Sequence, residues 1–124
     1  MDFDARVPIY LQIMERIKKD IISENLKKGD KMPSVRNMAA QLNVNVNTMQ
    51  RVYQELEREG VITTQRGTGS FVTENEEIIS GIKNQMAQEL LSSFLKGMRG
   101  LGFDDARILA LLGEYMEEGE NGTA

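Results

Sequence analysis

Isoleucines recur every four residues at Ile9, Ile13, Ile17 and Ile21, with Leu11, Met14 and Ile22 beside them. That spacing lays an apolar stripe along one side of a helix. Pro8, whose missing N–H costs nothing in a first turn, suits its start, and the helix is predicted over 8–23. Gly29-Asp30 marks a turn before Met32-Pro33. A short second helix is predicted from the natural N-cap Ser34 to Leu42, burying Val35, Met38, Ala39 and Leu42 and ending at Asn43. Asn45 caps a third helix whose inward residues are Met49, Val52, Tyr53 and Leu56, with Gly60 just past its end. The pattern then turns β-branched. Val61-Ile62-Thr63-Thr64 and Phe71-Val72-Thr73 read as an antiparallel pair joined by Arg66-Gly67-Thr68-Gly69.

Thr73-Glu74-Asn75 reads as a junction. Beyond it Ile78, Ile79, Ile82, Met86, Leu90, Leu91, Phe94, Leu95 and Met98 mark a long helix with a wide apolar face, broken by Gly97, Gly100 and Gly102. Asp104 caps a last helix carrying Ile108, Leu109, Leu111, Leu112, Tyr115 and Met116, and the polar tail EEGENGTA is expected to fray. The fold class is therefore mainly α with a small β-hairpin. Over residues 1–74, helix, turn, helix and a hairpin with a basic, glycine-rich tip is the form of a winged helix-turn-helix, which lays its reading helix in the DNA major groove. Residues 75–124 form a short helical region for dimerisation or effector binding. It is too short to enclose much core of its own, yet it carries more apolar side chains than one helical hairpin hides. The surplus is expected to be covered by the same hairpin of a second copy. Ile79, Ile82, Met86, Leu90, Phe94 and Ile108 are the expected dimer contacts. The alternative is packing back onto the winged helix.

Composition narrows the function. At 124 residues with 40% hydrophobic and 27% charged positions, the chain is globular rather than disordered. The absence of cysteine removes disulfides and thiolate metal sites, and the absence of histidine removes the commonest general base and metal ligand. No apolar run reaches a membrane span's length, and MDFDARVPIY lacks the basic and apolar regions of a signal peptide. The expected location is the cytoplasm, with no membrane contact and no cofactor. The net charge of −4 is unusual for a DNA binder. It is unevenly spread: residues 1–74 hold 11 Lys+Arg against 10 Asp+Glu, and residues 75–124 hold 4 against 9. The acid thus lies mostly outside the winged helix, and binding to DNA should be strongly salt-sensitive.

Four stretches together, PIYLQIMERIKKDI, LKKGDKMPSVRNMAAQLNVNVNTMQRVYQELEREGVI, QRGTGSFV and the two-helix tail, resemble the GntR family of bacterial transcriptional regulators, most closely its short YtrA-like subfamily. The match runs from about Val7 to Val72. The resemblance implies a homodimeric repressor that occupies a double-stranded operator and controls a neighbouring operon, often that of an ABC transporter. Departures are Asn25, where a glycine is common, and Val46 and Gln50, where many relatives carry other residues, arginine among them. The operator sequence is therefore not carried over. Whether a small-molecule effector exists stays open.

By the same resemblance Ser34, the cap in the MPSVR motif, touches DNA, and Arg36 in that motif reaches a guanine edge or a phosphate; as a bare sequence feature Arg36 is a surface arginine. Asn45, Asn47 and Thr48 open the reading helix. Asparagine can read adenine, threonine can meet a phosphate or a thymine methyl, and the free N–H groups of a helix start favour a phosphate. Asn45 is also a plain cap, so Asn47 is the stronger base reader. Gln50 and Arg51 lie a turn further on, off the buried stripe, for a base and a phosphate. Arg66, Gly67 and Thr68 form the wing tip, where an arginine suits a narrow minor groove, although the glycines also serve hairpin geometry. Lys27, Lys28 and Lys31 are either backbone contacts or solvated. Asp104-Asp105 reads as a helix cap rather than a metal pair. The Gly-Thr-Gly of the wing is no phosphate cradle, since no helix follows it. The eight methionines read as adaptable core filler. A winged helix used only to bind protein is the competing reading, favoured by the acidic balance. An enzyme lacks any catalytic constellation.

Overall fold

The computed structural model describes residues 1–122 and orders the elements as α1 (Ile9–Ile22), α2 (Val35–Leu42), α3 (Val46–Arg58), β1 (Ile62–Gln65), β2 (Gly69–Val72), α4 (Glu76–Gly100) and α5 (Asp105–Gly122). The chain divides into two compact units, Met1–Lys83 and Asn84–Ala124. The division falls inside α4 rather than at the Thr73–Asn75 junction, because Ile79 and Ile82 pack on the core of the first unit.

That core is one cluster. α1 contributes Ile13, Met14, Ile17 and Ile21, α2 Met38 and Ala39, and α3 Met49, Val52, Tyr53 and Leu56. Met32, Val61, Ile62 and Val72 close it from the hairpin side. α3 is the centre of the arrangement and packs against α1, α2 and β1. The α1 stripe is narrower than its sequence pattern. Leu11 is exposed because it sits two residues from Ile13, on another side of the helix. Ile9, at the helix start, is exposed too.

β1 and β2 are antiparallel, with Ile62 opposite Val72 and Gln65 opposite Gly69. The hairpin loop is thus Arg66–Thr68, and Gly69 opens β2 instead of belonging to the loop. Thr73 lies past the strand and donates its N–H to the carbonyl of Val61 at 2.9 Å. The segment before α2 adds a third edge that the sequence does not announce. Lys31 bridges Phe71, Met32 N donates to Ser70 O at 2.7 Å, and Val72 N donates to Asp30 O at 2.8 Å. A single bridge is too short to show alternation, so only the partner strand reveals it.

Asn75 caps α4, its Oδ1 accepting from Glu77 N at 2.9 Å. Gly97, expected to break this helix, does not; the ladder of hydrogen bonds continues to Gly100. A lone helical glycine costs only about 1 kcal/mol, less than the rest of a 25-residue helix supplies. Gly102, at φ +93°, turns the chain, and Asp104 caps α5 as predicted, its Oδ1 accepting from Arg107 N at 2.8 Å. Arg99 and Asp105 form a two-point ion pair across that turn. The tail does not fray at Glu117 as expected: α5 continues through it to Gly122, and Thr123 and Ala124 lie outside the described residues.

Gly60 closes α3 at φ +79°, and a Cβ there would meet Ile78 Cδ1 at 3.0 Å. A left-handed L-residue costs roughly 1–2 kcal/mol, and the contact adds to that. Gly60→Ala is expected to lower the stability of the full chain by at least about 1 kcal/mol, read from urea denaturation with an unchanged slope. An unaltered midpoint would show that neither constraint operates.

Candidate nucleic-acid interface

The helix-turn-helix is built by capping. Ser34 Oγ accepts from Asn37 N at 3.1 Å and starts α2. Asn43 ends α2 in the left-handed conformation, φ 55° and ψ 50°, which asparagine tolerates better than most residues. Val44 N then donates back to Ala39 O at 3.0 Å, and Asn45 Oδ1 accepts from Asn47 N at 2.7 Å to start α3. The side-chain acceptors of Ser34 and Asn45, both expected to touch DNA, are therefore engaged as caps. Their donors have no partner among the described residues.

Burial of Met49, Val52, Tyr53 and Leu56 fixes the rotation of α3. The opposite side presents Val46, Asn47, Gln50, Arg51 and Gln54 in exposed positions, with Thr48 half-buried beside them. Four contacts then tie the reading helix, the entry to α2 and the hairpin into one circuit. Tyr53 Oη donates to Pro33 O at 2.6 Å. Thr64 Oγ1 donates to Glu57 Oε2 at 3.1 Å, and the same hydroxyl lies 3.1 Å from Ser70 Oγ across the hairpin. Lys31 lies over the wing, its Cε 3.0 Å from where a Cβ on Gly69 would stand. Arg66, Gly67 and Thr68 project from the hairpin end, all exposed. Gly67, at φ +78°, has nothing within 4 Å of where its Cβ would be.

The charges are sorted. Arg6, Arg16, Arg58 and Arg99 each pair with a carboxylate, as do Lys18 and Lys28. Among the described residues Arg36, Arg51 and Arg66 have no carboxylate partner, and neither does Arg107 in α5. The first three stand on three separate elements: the start of α2, the outer side of α3 and the wing tip. Lys28, one of the possible backbone contacts, is instead engaged with Glu76 at the start of α4. Arg51 has a contact of another kind, its Cζ lying 3.7 Å from the centroid of the Tyr10 ring. Nothing in the α1 pattern singles out Tyr10. Its partner lies on another helix, far along the chain.

The expected dimer residues separate into two groups. Ile79 and Ile82 pack on the core of the amino-terminal unit and are half-buried, and Ile108 is buried within its own chain. Met86 is half-buried, Phe94 is exposed, and Leu90 is 71% exposed. Leu91, Leu101, Leu109, Tyr115 and Met116 join them as exposed large apolar side chains. No group of His, Cys, Asp or Glu among the described residues could hold a metal ion, and no helix among them is long and apolar enough to cross a membrane.

Burial pushes the Tyr53 phenol up to about 12 from its ordinary value of 10.0. The fold thus favours the protonated form that donates to Pro33. Stability from this group is whole below about pH 10 and is lost as pH rises through about 12. Tyr53→Phe is expected to cost about 1 kcal/mol at neutral pH and to flatten the alkaline loss. Urea denaturation across that pH range checks both; equal alkaline slopes in the two proteins would contradict the assignment.

Comparison with known proteins places this architecture. The pattern of the bacterial regulatory proteins of the gntR family matches residues 9–72, more than half of the chain. The uncharacterized HTH-type transcriptional regulator YhcF of Bacillus subtilis is 42% identical over 117 residues, covering 94% of this chain and 97% of that one. The HTH-type transcriptional repressor YtrA of the same organism is 38% identical, covering 79% of this chain and 80% of its own. A GntR family transcriptional regulator from Listeria monocytogenes superposes with a TM-score of 0.82 at 39% identity, over 90% of this chain and 98% of that one. With the helix-turn-helix, the wing and the two-helix tail all accounted for, the chain belongs to the GntR family, in its YtrA-like subfamily, and is a DNA-binding transcription regulator.

Proposed function

We propose that the chain acts in the cytoplasm as a homodimeric repressor that occludes a two-fold operator, its α3 reading bases while the α2 start and the wing grip the backbone. The observation that carries this reading is the sorting of arginines. Those on α2, α3 and the wing that face outward at Arg36, Arg51 and Arg66 are free of carboxylates, while Arg6, Arg16 and Arg58 of the same unit are neutralised. An unpaired guanidinium keeps its full set of donors for phosphate or guanine. This local arrangement is what a negative polymer meets, so the overall charge of −4 lowers affinity without removing it. Asn47, exposed at the first turn of α3, is the base reader, with Gln50 a turn beyond. The controlled genes, on resemblance alone, are a neighbouring operon, an ABC transporter's among the candidates.

Dimerisation is supported by the apolar surface of Asn84–Ala124. In this unit α4 has no fully buried residue, and Leu90, Leu91, Leu101, Leu109, Tyr115 and Met116 are all more than half exposed. Monomeric proteins seldom leave so many large apolar side chains of one small unit in water. Covering it with a second copy gives the two-fold symmetry that paired half-sites require. Leu90→Glu combined with Leu109→Glu is expected to weaken the dimer by at least about 100-fold, since each burial of a leucine is worth about 1.5–3 kcal/mol. Sedimentation equilibrium reads this directly. A wild-type chain that sediments as a monomer overturns the dimer.

Selection from random duplexes should enrich an inverted repeat. Asn47→Ala is expected to cost about 1–3 kcal/mol and to relax preference at one base pair of each half-site. Arg66→Ala should weaken many sequences alike and lower the salt slope by about 1 for each phosphate left without its guanidinium. Titrations of the enriched duplex and its single-base variants at several salt concentrations separate the two. Wild-type affinity in both folded variants, or binding that ignores salt, would favour a protein-binding winged helix instead.

A further inference from the structure

Arg51 is an unpaired arginine of the winged helix that is nonetheless held. Its guanidinium carbon lies 3.7 Å from the centre of the Tyr10 ring. Tyr10 is half-buried and packs against the core cluster, so the ring is a fixed surface rather than a mobile one. Arg51 follows Asn47 by four residues and therefore lies on the same side of α3, one turn further on. We propose that Tyr10 is a positioning residue for DNA recognition: its ring holds the Arg51 guanidinium at the DNA-facing side of α3. This inference rests on the DNA-binding reading of that side.

The geometry separates two functions of one group. Stacking uses the face of the guanidinium, whereas its five N–H donors lie in the plane. A stacked arginine therefore keeps its hydrogen-bonding edge open to a phosphate while losing the freedom to wander. Arg58, further along α3, illustrates the contrast. It has an acid within reach and is neutralised by Glu55, with Nε at 3.0 Å from Oε2. Glu55 also lies one turn from Arg51 but pairs with Arg58; paired with Arg51 it would consume the donors and cancel the charge that DNA needs. An aromatic platform holds Arg51 without either loss. Lysine does not substitute, because an ammonium has no plane to stack and no fixed edge to present.

The test uses the full-length protein and two probes, the duplex enriched from random sequences and a long mixed-sequence duplex, each titrated at several salt concentrations. Tyr10→Phe keeps the ring and should bind as wild type. Tyr10→Leu keeps apolar volume but removes the ring, and should lose about 3- to 30-fold in affinity, the range of a cation–π contact. Arg51→Lys leaves the core untouched and should lose a similar factor. Tyr10→Leu added to Arg51→Ala should cost no more than Arg51→Ala alone. Wild-type affinity in a folded Arg51→Lys protein overturns the proposal, whatever the stability of Tyr10→Leu. Additive losses in the double variant, or a Tyr10→Phe protein as weak as Tyr10→Leu, overturn it too, the latter by moving the effect to the hydroxyl. If wild type binds neither duplex, the DNA-binding reading itself falls. If wild type binds and every variant binds alike, only the role of Tyr10 does.

Discussion

The burial of one side of α3 is the constraint on which the rest of the winged helix depends. Met49, Val52 and Leu56 are completely removed from water, against Ile13 and Ile17 of the same cluster. Each such side chain is worth about 1.5–3 kcal/mol in transfer alone, and truncating one to alanine typically costs about 2–5 kcal/mol. An exposed ion pair such as Lys18 with Glu59, at 2.8 Å, contributes about 0–1 kcal/mol. Packing therefore decides how α3 is rotated, and the ion pairs decorate that decision. Once the buried side is set, the helical period leaves Asn47, Gln50 and Arg51 no choice but the opposite side.

The smaller contacts act on this frame by fixing position rather than by adding much stability. Tyr53 belongs to the buried side of α3, yet its hydroxyl reaches the carbonyl of Pro33, immediately before the α2 cap. The same entry segment lies along β2 through Lys31 and Met32. One short stretch, Asp30–Pro33, is thus shared between the wing and the helix-turn-helix. A reading helix that moved relative to the wing would have to break a part-buried phenol hydrogen bond and a backbone bridge together. The Thr64 hydroxyl, bonded to Glu57 of α3 and set against Ser70 across the hairpin, makes the same link from the other strand.

Electrostatics then divides the arginines into paired and unpaired. Carboxylates pair with Arg6, Arg16, Arg58 and Arg99, whereas Arg36, Arg51 and Arg66, and Arg107 in α5, form no ion pair among the described residues. A pair such as Arg58 with Glu55 is formed from residues three apart on one helix and costs little to organise. The unpaired guanidiniums keep their in-plane donors free of carboxylate. The acid-rich Asn84–Ala124 unit carries a different kind of surface, with leucines and a tyrosine in the open among its charges.

Much of this is legible in the sequence, and the reason is local. The caps Ser34, Asn45 and Asp104 and the helix ends Asn43 and Gly60 act within one turn of chain, so residue type and spacing reveal them. The inward residues of α2 and α3 follow from helical period in the same way. Local signals mislead where strength rather than presence matters: Gly97 carries a helix-breaking preference that a long helix outweighs, and Gly69 belongs to the strand that its register defines. What no window of sequence contains are the partnerships between distant segments. Ile79, Ile82 and Ile108 look like the other apolar positions of the last two helices, and only packing shows that Ile108 is buried and that Ile79 and Ile82 lean on the amino-terminal core. Lys31 meets the wing, and Tyr10 meets Arg51, because the core brings separate elements side by side. The sequence by itself determined which side of each helix is apolar and where most of the helices stop. The tertiary structure alone decided which residues of different elements touch, since that depends on distances that periodicity does not encode.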